Sequence, residues 1–543
     1  MTTALAASTL PRVDGPSGFF WTSGADGTLR VLRCTGCARL LHPAVEFCPD
    51  CGAGEPVVAS VSGQGTVVAC TLDRHPFSPE FPPPYVVAVV ALAEDPRIRL
   101  TTNVVGCDPE DVTVGLAVRV RFARVDDVWL PLFEPSTAVV APVALPEPSV
   151  TVRRPATRER FERRVALTGV GRSVFGRRLG RTPLALQVEA CRAALDDCGL
   201  TASDIDGVCA YPGTIGLPGV SEGGVRGLEQ ALELRPSWHC GAAEVPGQAG
   251  AVVSAMLAVA AGLCRNVLCF TTVSTAAVPR LRSGGGRVGG EGQWRLPFGA
   301  VSPAHWVALY ASQYLARYRV GRDALGWVAI SARRHAARNA DALHRDLLDM
   351  ESYAAARTIT TPFGLFDCDV PCDGAVAVVV SALDQARDLR RPPVRVEAVG
   401  TQLTDPQSWD QGTLTHQPGL FGPAAHLWSR TDLRQGDVDV ALLYDGFTFN
   451  VLCWLEALGF CGIGEAGDFV VGAERIGPGG SLPVNPHGGQ LTTGRSNGFG
   501  QLAEAVAQLR GQAGARQVPG AEVALATSGG GIPAGCLLLT TDR

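Results

Sequence analysis

Short β-branched and aromatic runs follow one another from Gly63 to Phe133, at Gly65 to Thr71, Tyr85 to Leu92, Val112 to Phe122 and Val128 to Phe133, separated by Pro, Gly and Asp. That spacing predicts a small all-β barrel. From Pro135 to Pro155 the chain turns Pro- and Val-rich, the composition of an extended linker. Beyond about Arg164 the period changes. Strand-like runs (Val165 to Val170, Val267 to Thr272, Ala375 to Ser381) alternate with helical patterns (Leu184 to Asp197, Gly250 to Leu263, Ala324 to Asn339), which predicts an α/β domain with a mainly parallel sheet. A second set follows: strands at Val394 to Gly400 and Val438 to Tyr444, a helix from Gly500 to Arg510, and strands near Val523 to Thr527 and Cys536 to Thr540. The two sets read as an internal duplication. The expected units are an N-terminal arm and ribbon (1–58), a barrel (59–135), a linker (136–162) and two halves of one α/β domain (163–390 and 391–543).

The 543 residues exceed what one core usually serves, so more than one domain is expected. A hydrophobic content of 46%, a charged content of 18% and a mean hydropathy of +0.15 describe a well-buried globular protein. A net charge of -5, and a barrel without a basic stripe interleaved with aromatics, argue against a nucleic-acid partner. The longest apolar stretch, Ala249 to Leu263, is too short to span a bilayer, and the N-terminus lacks the order of a signal peptide. The expected location is the cytoplasm. The 47 basic residues are all arginines. Without lysine there is no Schiff base, so lysine-dependent aldolase and pyridoxal-phosphate chemistry are excluded. No dinucleotide fingerprint or serine-hydrolase elbow is present, so no NAD is expected.

Four of the 17 cysteines form one pattern, Cys34-x2-Cys37, ten residues, then Cys48-x2-Cys51. Paired knuckles of this kind present four thiolates tetrahedrally and predict a closed, structural zinc site. The other thirteen, scattered through apolar segments, read as reduced buried thiols. The Gly- and Arg-rich segment Arg280 to Trp294 reads either as a lid whose arginines meet phosphates or as a solvated loop.

CTGCARLLHPAVEFCPDCG, YVVAVVALAEDPRIRLTTNVVG and WLPLFEP make the first part resemble the DUF35 proteins, a rubredoxin-like zinc ribbon followed by an OB fold. FDCDVPCDGA, LLYDGFTFN, VNPHGGQL and VALATSGGG make the remainder similar to thiolase-like lipid-transfer proteins related to sterol carrier protein X. The resemblance implies a thiolase fold, a duplicated five-layer αβαβα arrangement, and a homodimer. It also implies a thioester of coenzyme A as substrate.

The residues a Claisen thiolase needs are replaced. Val245 stands where the nucleophilic cysteine is expected, Tyr444 at the Asn or His, Gly494-Arg495-Ser496 at the Gly-His-Pro motif, and Ser528-Gly529-Gly530 at the Cys-x-Gly motif. Losing nucleophile and base together removes covalent acyl transfer as a mechanism. The thiolase-like steroid side-chain aldolases also lack these residues and pair with DUF35 partners. The resemblance to them implies retro-aldol cleavage of a β-hydroxyacyl-CoA, or its reverse, with tyrosines as acid and base. Tyr444 fits the first tyrosine, but Arg495 stands near the second, where an arginine clamps anions and cannot serve as base. His487 in NPHGGQ titrates closest to neutrality among residues near the expected site. The expected catalytic residues are therefore Tyr444, His487 and Arg495; Gly488, Gly489, Val245, Ser528 and Gly529 are expected to contact substrate. Asp367, Asp369 and Asp373 read as capping and turn residues. Two alternatives stay open: an acyltransferase or condensing enzyme using Cys240 or no covalent intermediate, and a non-catalytic acyl-CoA-binding scaffold.

Overall fold

The computed structural model describes residues 9–542 except 53–54, 139–142, 154–156, 158, 214–219, 222, 242, 276–285, 405–408 and 530–533. Most of the Arg-rich part of the Arg280 to Trp294 segment lies outside the described residues.

The cysteine knuckles sit on a three-stranded sheet in which β1 (Leu29–Arg33) pairs with β2 (Leu40–Leu41) and β3 (Val57–Val61). The four Sγ atoms lie within 4.8 Å of one another. A tetrahedron of Zn–S bonds about 2.3 Å long has edges of this order, so the four thiols fit a zinc ion. The backbone N–H groups of Cys37 and Gly36 aim at Cys34 Sγ and lower its pKa to about 6, which favours the thiolate a metal needs.

Five strands form the barrel: β4 (Gln64–Asp73), β5 (Tyr85–Leu92), β6 (Arg99–Thr102), β7 (Ala117–Val125) and β8 (Val128–Pro135). β4 pairs with β5 and β7, β5 with β6, and β7 with β8. A bridge between Val104 and Phe133 brings β8 back to the end of β6 and closes the ring. β6 was not legible as a strand: it is four residues long and begins with a buried arginine.

The remainder is built twice. In the first half β9 (Val165–Arg172), β10 (Gly207–Ala210), β11 (Trp238–Gly241), β12 (Asn266–Val273) and β13 (Gly374–Ala382) lie in the order β11-β10-β12-β13-β9. In the second half β14 (Val394–Gly400), β15 (Val440–Leu442), β16 (Val523–Ser528) and β17 (Gly535–Thr541) lie in the order β14-β17-β16-β15. Apart from the β11 position, the second order repeats the first in mirror sequence, as a duplication requires. The expected mainly parallel sheet is corrected to a mixed one. Only β10 with β11, β10 with β12, and β15 with β16 run parallel; the last strand of each half returns antiparallel to its neighbours.

Helices α1 (Pro183–Cys198) and α2 (Gly224–Ala231) cover one outer face, through Leu186, Ala190, Ala194 and Leu228. Between the two half-sheets lie α3 (Gly250–Ala260) and, from the second half, a matching helix at Phe499–Leu509; Met256, Val376, Phe499 and Leu537 share their core. The opposite outer face is covered by helices from the second half and by two long helices of the first, α4 (Pro303–Tyr318) and α5 (Asp323–Ala336). This gives the five layers.

The barrel is grafted onto the α/β domain. Strand Thr358–Thr360 of the α/β domain adds to β4, and Thr71, Leu72 and Arg74 exchange hydrogen bonds with residues 359–361. A single apolar core runs from Val87 and Phe133 of the barrel through Phe298 to Tyr310 and Trp454. At the seam the fully buried His305 of α4 receives the Ser302 N–H on Nδ1, so Nε2 carries the proton it offers Asp73, 3.2 Å away. Residues 143–153 run without helix or strand, pinned by Glu147 to Arg317 and Tyr318 and by Gln402 to Thr151 and Arg153. Among the described residues no helix is long and apolar enough to cross a membrane.

Candidate active site

Three segments meet at the carboxyl end of β15. Tyr444, Asp445, Gly446 and Phe447 lead from β15 into the helix Thr448–Ala457. The segment from Asn485 to Asn497 runs back against them: Asn485 N–H donates to Ala441 O, and its side chain donates to Leu443 O. The segment Cys368 to Asp373 crosses both, with Asp369 N–H on Gly446 O, Val370 N–H on Gln490 O and Arg495 N–H on Val370 O. Motifs about 75 and 50 residues apart in sequence are thus stitched together by backbone hydrogen bonds.

Tyr444 is half-buried, and its ring lies over Gly446, where an added Cβ would meet the ring's Cε1 at 2.9 Å and the hydroxyl at 3.2 Å. Burial raises the phenol pKa; Asp369 raises it further and Arg495 opposes. The phenol is therefore neutral and keeps its proton at neutral pH. Arg495 clasps Asp369 through Nε and Nη2 at 2.7 and 2.9 Å. Attraction to Asp369 holds the guanidinium charged, and the pairing leaves its Nη1 N–H groups for another oxygen. Tyr211 is a further neighbour of Tyr444. It follows the equivalent strand, β10, of the other half, so its nearness reflects the duplication.

Asp445, the residue after Tyr444, is deeply embedded. It is 1% exposed, and its carboxylate accepts from Gln490 N at 2.9 Å, from Leu491 N at 3.4 Å and from the Gln501 amide at 3.0 Å. Burial raises its pKa to about 7 against those donors. Gln501 Oε1 has no partner among the described residues, so turning the amide over lets it accept a hydrogen bond from the protonated carboxyl. The only available signal was its place beside Tyr444 after a strand.

A folded-state pKa above the unfolded one means that the folded protein holds the extra proton between about pH 4 and 7, and stability falls as pH rises through that window. The slope is about 1.4 kcal/mol per pH unit at most. The Asp445→Asn variant, fixed in a neutral state, gains melting temperature on the wild type from pH 5 to pH 7 and holds a constant difference above. Melting curves that stay parallel across that range would refute the assignment.

The other expected residues are distributed differently. His487 is 1% exposed, and both its ring nitrogens lack a partner among the described residues; burial holds it neutral, and Arg172 and Arg516 act in the same direction. Gly488 and Gly489, expected to let backbone approach a thioester, are required by the protein's own atoms. Both have positive φ, and a Cβ would meet Thr492 and Ala336 at the first and Asp445 Oδ2, at 1.8 Å, at the second. Val245 is buried in the loop before α3. Ser528 is fully buried and receives the Ala249 N–H at 3.2 Å, so it holds that loop in place; Gly529 O receives the Trp454 indole N–H. Asp367 and Asp373 are saturated by hydrogen bonds from Tyr353, Gly364 and Thr448, and from Leu179 and Thr275. Cys240 lies on the edge strand β11, and its contact with Cys209, together with burial, pushes its thiol pKa up, the reverse of what a nucleophile needs.

A cavity of about 430 Å³ opens beside the three segments. Asp369, Leu491 and Arg495 line it, and Arg177 and Arg333 place positive charge on its lining, where burial and these arginines hold the His344 imidazole pKa down. His75 and Phe77 of the barrel complete it. The barrel reaches the site; no described residue of the zinc ribbon lines this cavity.

Comparison with known proteins agrees with this architecture. Residues 21–57 match the ChsH2 rubredoxin-like zinc ribbon domain, 59–123 the ChsH2 C-terminal OB-fold domain, and 416–536 the thiolase C-terminal domain-like family. The chain is 34% identical over 392 residues to a steroid side-chain-cleaving aldolase of Thermomonospora curvata, across 70% of this chain and 98% of that protein. It is 34% identical over 388 residues to the 17-hydroxy-3-oxo-4-pregnene-20-carboxyl-CoA lyase of Mycobacterium tuberculosis, across 69% and 98% of the two. A solved Ltp2-ChsH2(DUF35) aldolase superposes with a TM-score of 0.63 at 32% identity, over 70% of this chain and 98% of that one.

Proposed function

This chain belongs to the family of the steroid side-chain-cleaving aldolases, thiolase-fold proteins, here joined in one polypeptide to a ChsH2-type zinc ribbon and OB fold, and we propose that it is a carbon–carbon lyase acting on a β-hydroxyacyl-CoA thioester. The products are a ketone or aldehyde and a shorter acyl-CoA, and the reverse reaction uses the same groups.

The β-hydroxyl gives up its proton and becomes the carbonyl. The Cα–Cβ bond breaks, and its electron pair passes into the thioester as an enolate. A proton then reaches Cα. Tyr444, kept neutral by burial, gives its phenol proton to Cα, and the phenolate so formed takes up the proton that leaves the β-hydroxyl, so that no net proton is gained or lost. Arg495, held charged by Asp369, offers its remaining N–H groups to the enolate oxygen, where a fixed donor lowers the barrier most. Asp445 caps the turn that carries Gln490 and keeps this geometry. Arg177, Arg333 and His344 receive the phosphates of coenzyme A. The zinc, held by Cys34, Cys37, Cys48 and Cys51, is structural, since four thiolates close its coordination.

The observation that carries this reading is the convergence of Tyr444 with the Asp369–Arg495 pair beside the cavity, while the nucleophile position holds Val245. Incubation with a panel of β-hydroxyacyl-CoA thioesters, followed by mass spectrometry, is expected to yield a carbonyl compound and a shortened acyl-CoA in equal amounts. Hydrolysis or acyl transfer instead would overturn it. The family's fold supports a homodimer through the α/β domain, and the absence of disulfides among the cysteines supports the cytoplasm.

A further inference from the structure

Gln490, the last residue of the HGGQ stretch, is fully buried, and all but one of its polar atoms are tied down. Its backbone N–H donates to Asp445 Oδ1 at 2.9 Å, and its carbonyl receives the Val370 N–H at 3.2 Å. Its side-chain Oε1 accepts two backbone N–H groups, from Ser496 and from Asn497, each at 2.9 Å. Those two donors fix the amide, since turning it over would set its NH2 group against both of them. The remaining atom, Nε2, is closed to solvent and has no hydrogen-bond partner among the described residues. A buried donor left in that state costs stability unless an acceptor is found for it. The Tyr444 oxygen is the acceptor at hand. Gly446, over which the Tyr444 ring lies, receives the Asp369 N–H, and Gln490 receives the next N–H along, so one short segment holds the floor of the ring and the amide side by side. Hydrogen bonding from Gln490 favours the ionised phenol, against burial and Asp369, which disfavour it. A neutral phenol accepts weakly and leaves Nε2 unpaired; a phenolate accepts strongly.

We propose that Gln490 is a positioning residue that acts through Tyr444: its fixed Nε2 N–H donates to the Tyr444 oxygen as the phenol gives up its proton, and holds the phenolate in place until it takes up the proton of the β-hydroxyl. No bond to Gln490 is made or broken, and its protons stay on nitrogen throughout. Arg495 has Nε and Nη2 on Asp369 and its remaining N–H groups on the enolate, so the amide serves the oxygen that the arginine leaves. The steps it serves rest on the aldolase reading; the contact itself rests on the fixed amide and its unpaired nitrogen.

The test reads the phenol first and the reaction second, both on the full chain. Difluorotyrosine placed at position 444 has a more acidic phenol, because fluorine withdraws electrons, and its ionisation can be followed by absorbance apart from that of the ordinary tyrosines. That phenol is expected to ionise about one pH unit higher in Gln490→Met than with Gln490 in place, a tenfold loss of phenolate, since burial, Asp369 and Arg495 act on it alike in both. An unchanged pKa would overturn the proposal. In the unlabelled protein Gln490→Met is expected to lower kcat about 10- to 100-fold while KM stays within about threefold. In the Tyr444→Phe background the same substitution costs nothing further, because no phenol oxygen is left to serve. Equal losses in the two backgrounds would show a structural role and overturn the proposal. Gln490→Glu keeps an oxygen for the Ser496 and Asn497 N–H groups, and it replaces Gln490→Met in both measurements if that variant misfolds, with the same shifts expected. Cleavage of β-hydroxyacyl-CoA with an unshifted phenol removes this proposal and leaves the aldolase reading; a shifted phenol without cleavage does the reverse.

Discussion

Replacing Tyr444 by phenylalanine is expected to lower the rate of carbon–carbon cleavage by about 100- to 10,000-fold, the usual weight of one general acid–base group. The change removes one oxygen and leaves the ring on Gly446, the backbone bond from Tyr444 N to Thr527 and the walls of the cavity in place. Affinity for an uncleavable acyl-CoA should therefore change by less than about threefold, so that the loss falls on kcat and not on KM. Circular dichroism and melting temperature guard against a folding defect. A Tyr444→Phe enzyme within tenfold of wild type would remove Tyr444 from the chemistry and leave Asp369–Arg495 without the proton carrier they are proposed to serve.

The second large effect concerns the graft. Deleting residues 1–150 is expected to leave the remainder insoluble. Strand Thr358–Thr360 loses its partner β4, and the apolar surface around Phe298, Tyr310 and Leu309 loses the barrel residues that cover it. His305 keeps its place in an apolar seam but loses Asp73, which leaves a buried Nε2 N–H without that acceptor, a cost of about 1–3 kcal/mol. Set against a total stability of about 5–15 kcal/mol, these losses together exceed what the fold can absorb. Metal chelation acts on the ribbon alone, so it should loosen Cys34 to Cys51 while sparing the cavity, which no described ribbon residue lines. A soluble, monodisperse truncation with wild-type melting temperature would show that the two parts are independent.

The features legible in the sequence are those encoded locally. Cys-x2-Cys spacing gives the ribbon directly, because ligand geometry is a property of two tight turns. Alternating β-branched runs give β4, β5 and β8 almost to the residue, and YDGF and HGGQ mark the ends of elements that the fold then brings together. What escaped depends on distant partners. Thr358–Thr360 is too short to read as a strand and exists because β4 offers an edge. Trp21 gives no sign that its indole N–H reaches Gln293 or that it stacks near Trp294. Asp445 looks like any turn aspartate; its weight comes from Gln490, Leu491 and Gln501 closing over it, contacts of 45 to 56 residues' separation. For His487, residue type and neighbourhood in sequence are visible, but the direction of a ring is not. The same holds for Gly488 and Gly489, whose missing side chains answer to Ala336 and Asp445.

The most direct test of carbon–carbon cleavage through an enolate is to run the reaction in D2O and weigh both product and protein. Retro-aldol cleavage predicts a shortened acyl-CoA carrying one deuterium on its α-carbon, an unlabelled carbonyl product, and an enzyme whose mass never changes, all lost in Tyr444→Phe. An acyl group found on the protein, or a shortened acyl-CoA without α-deuterium, would contradict the account.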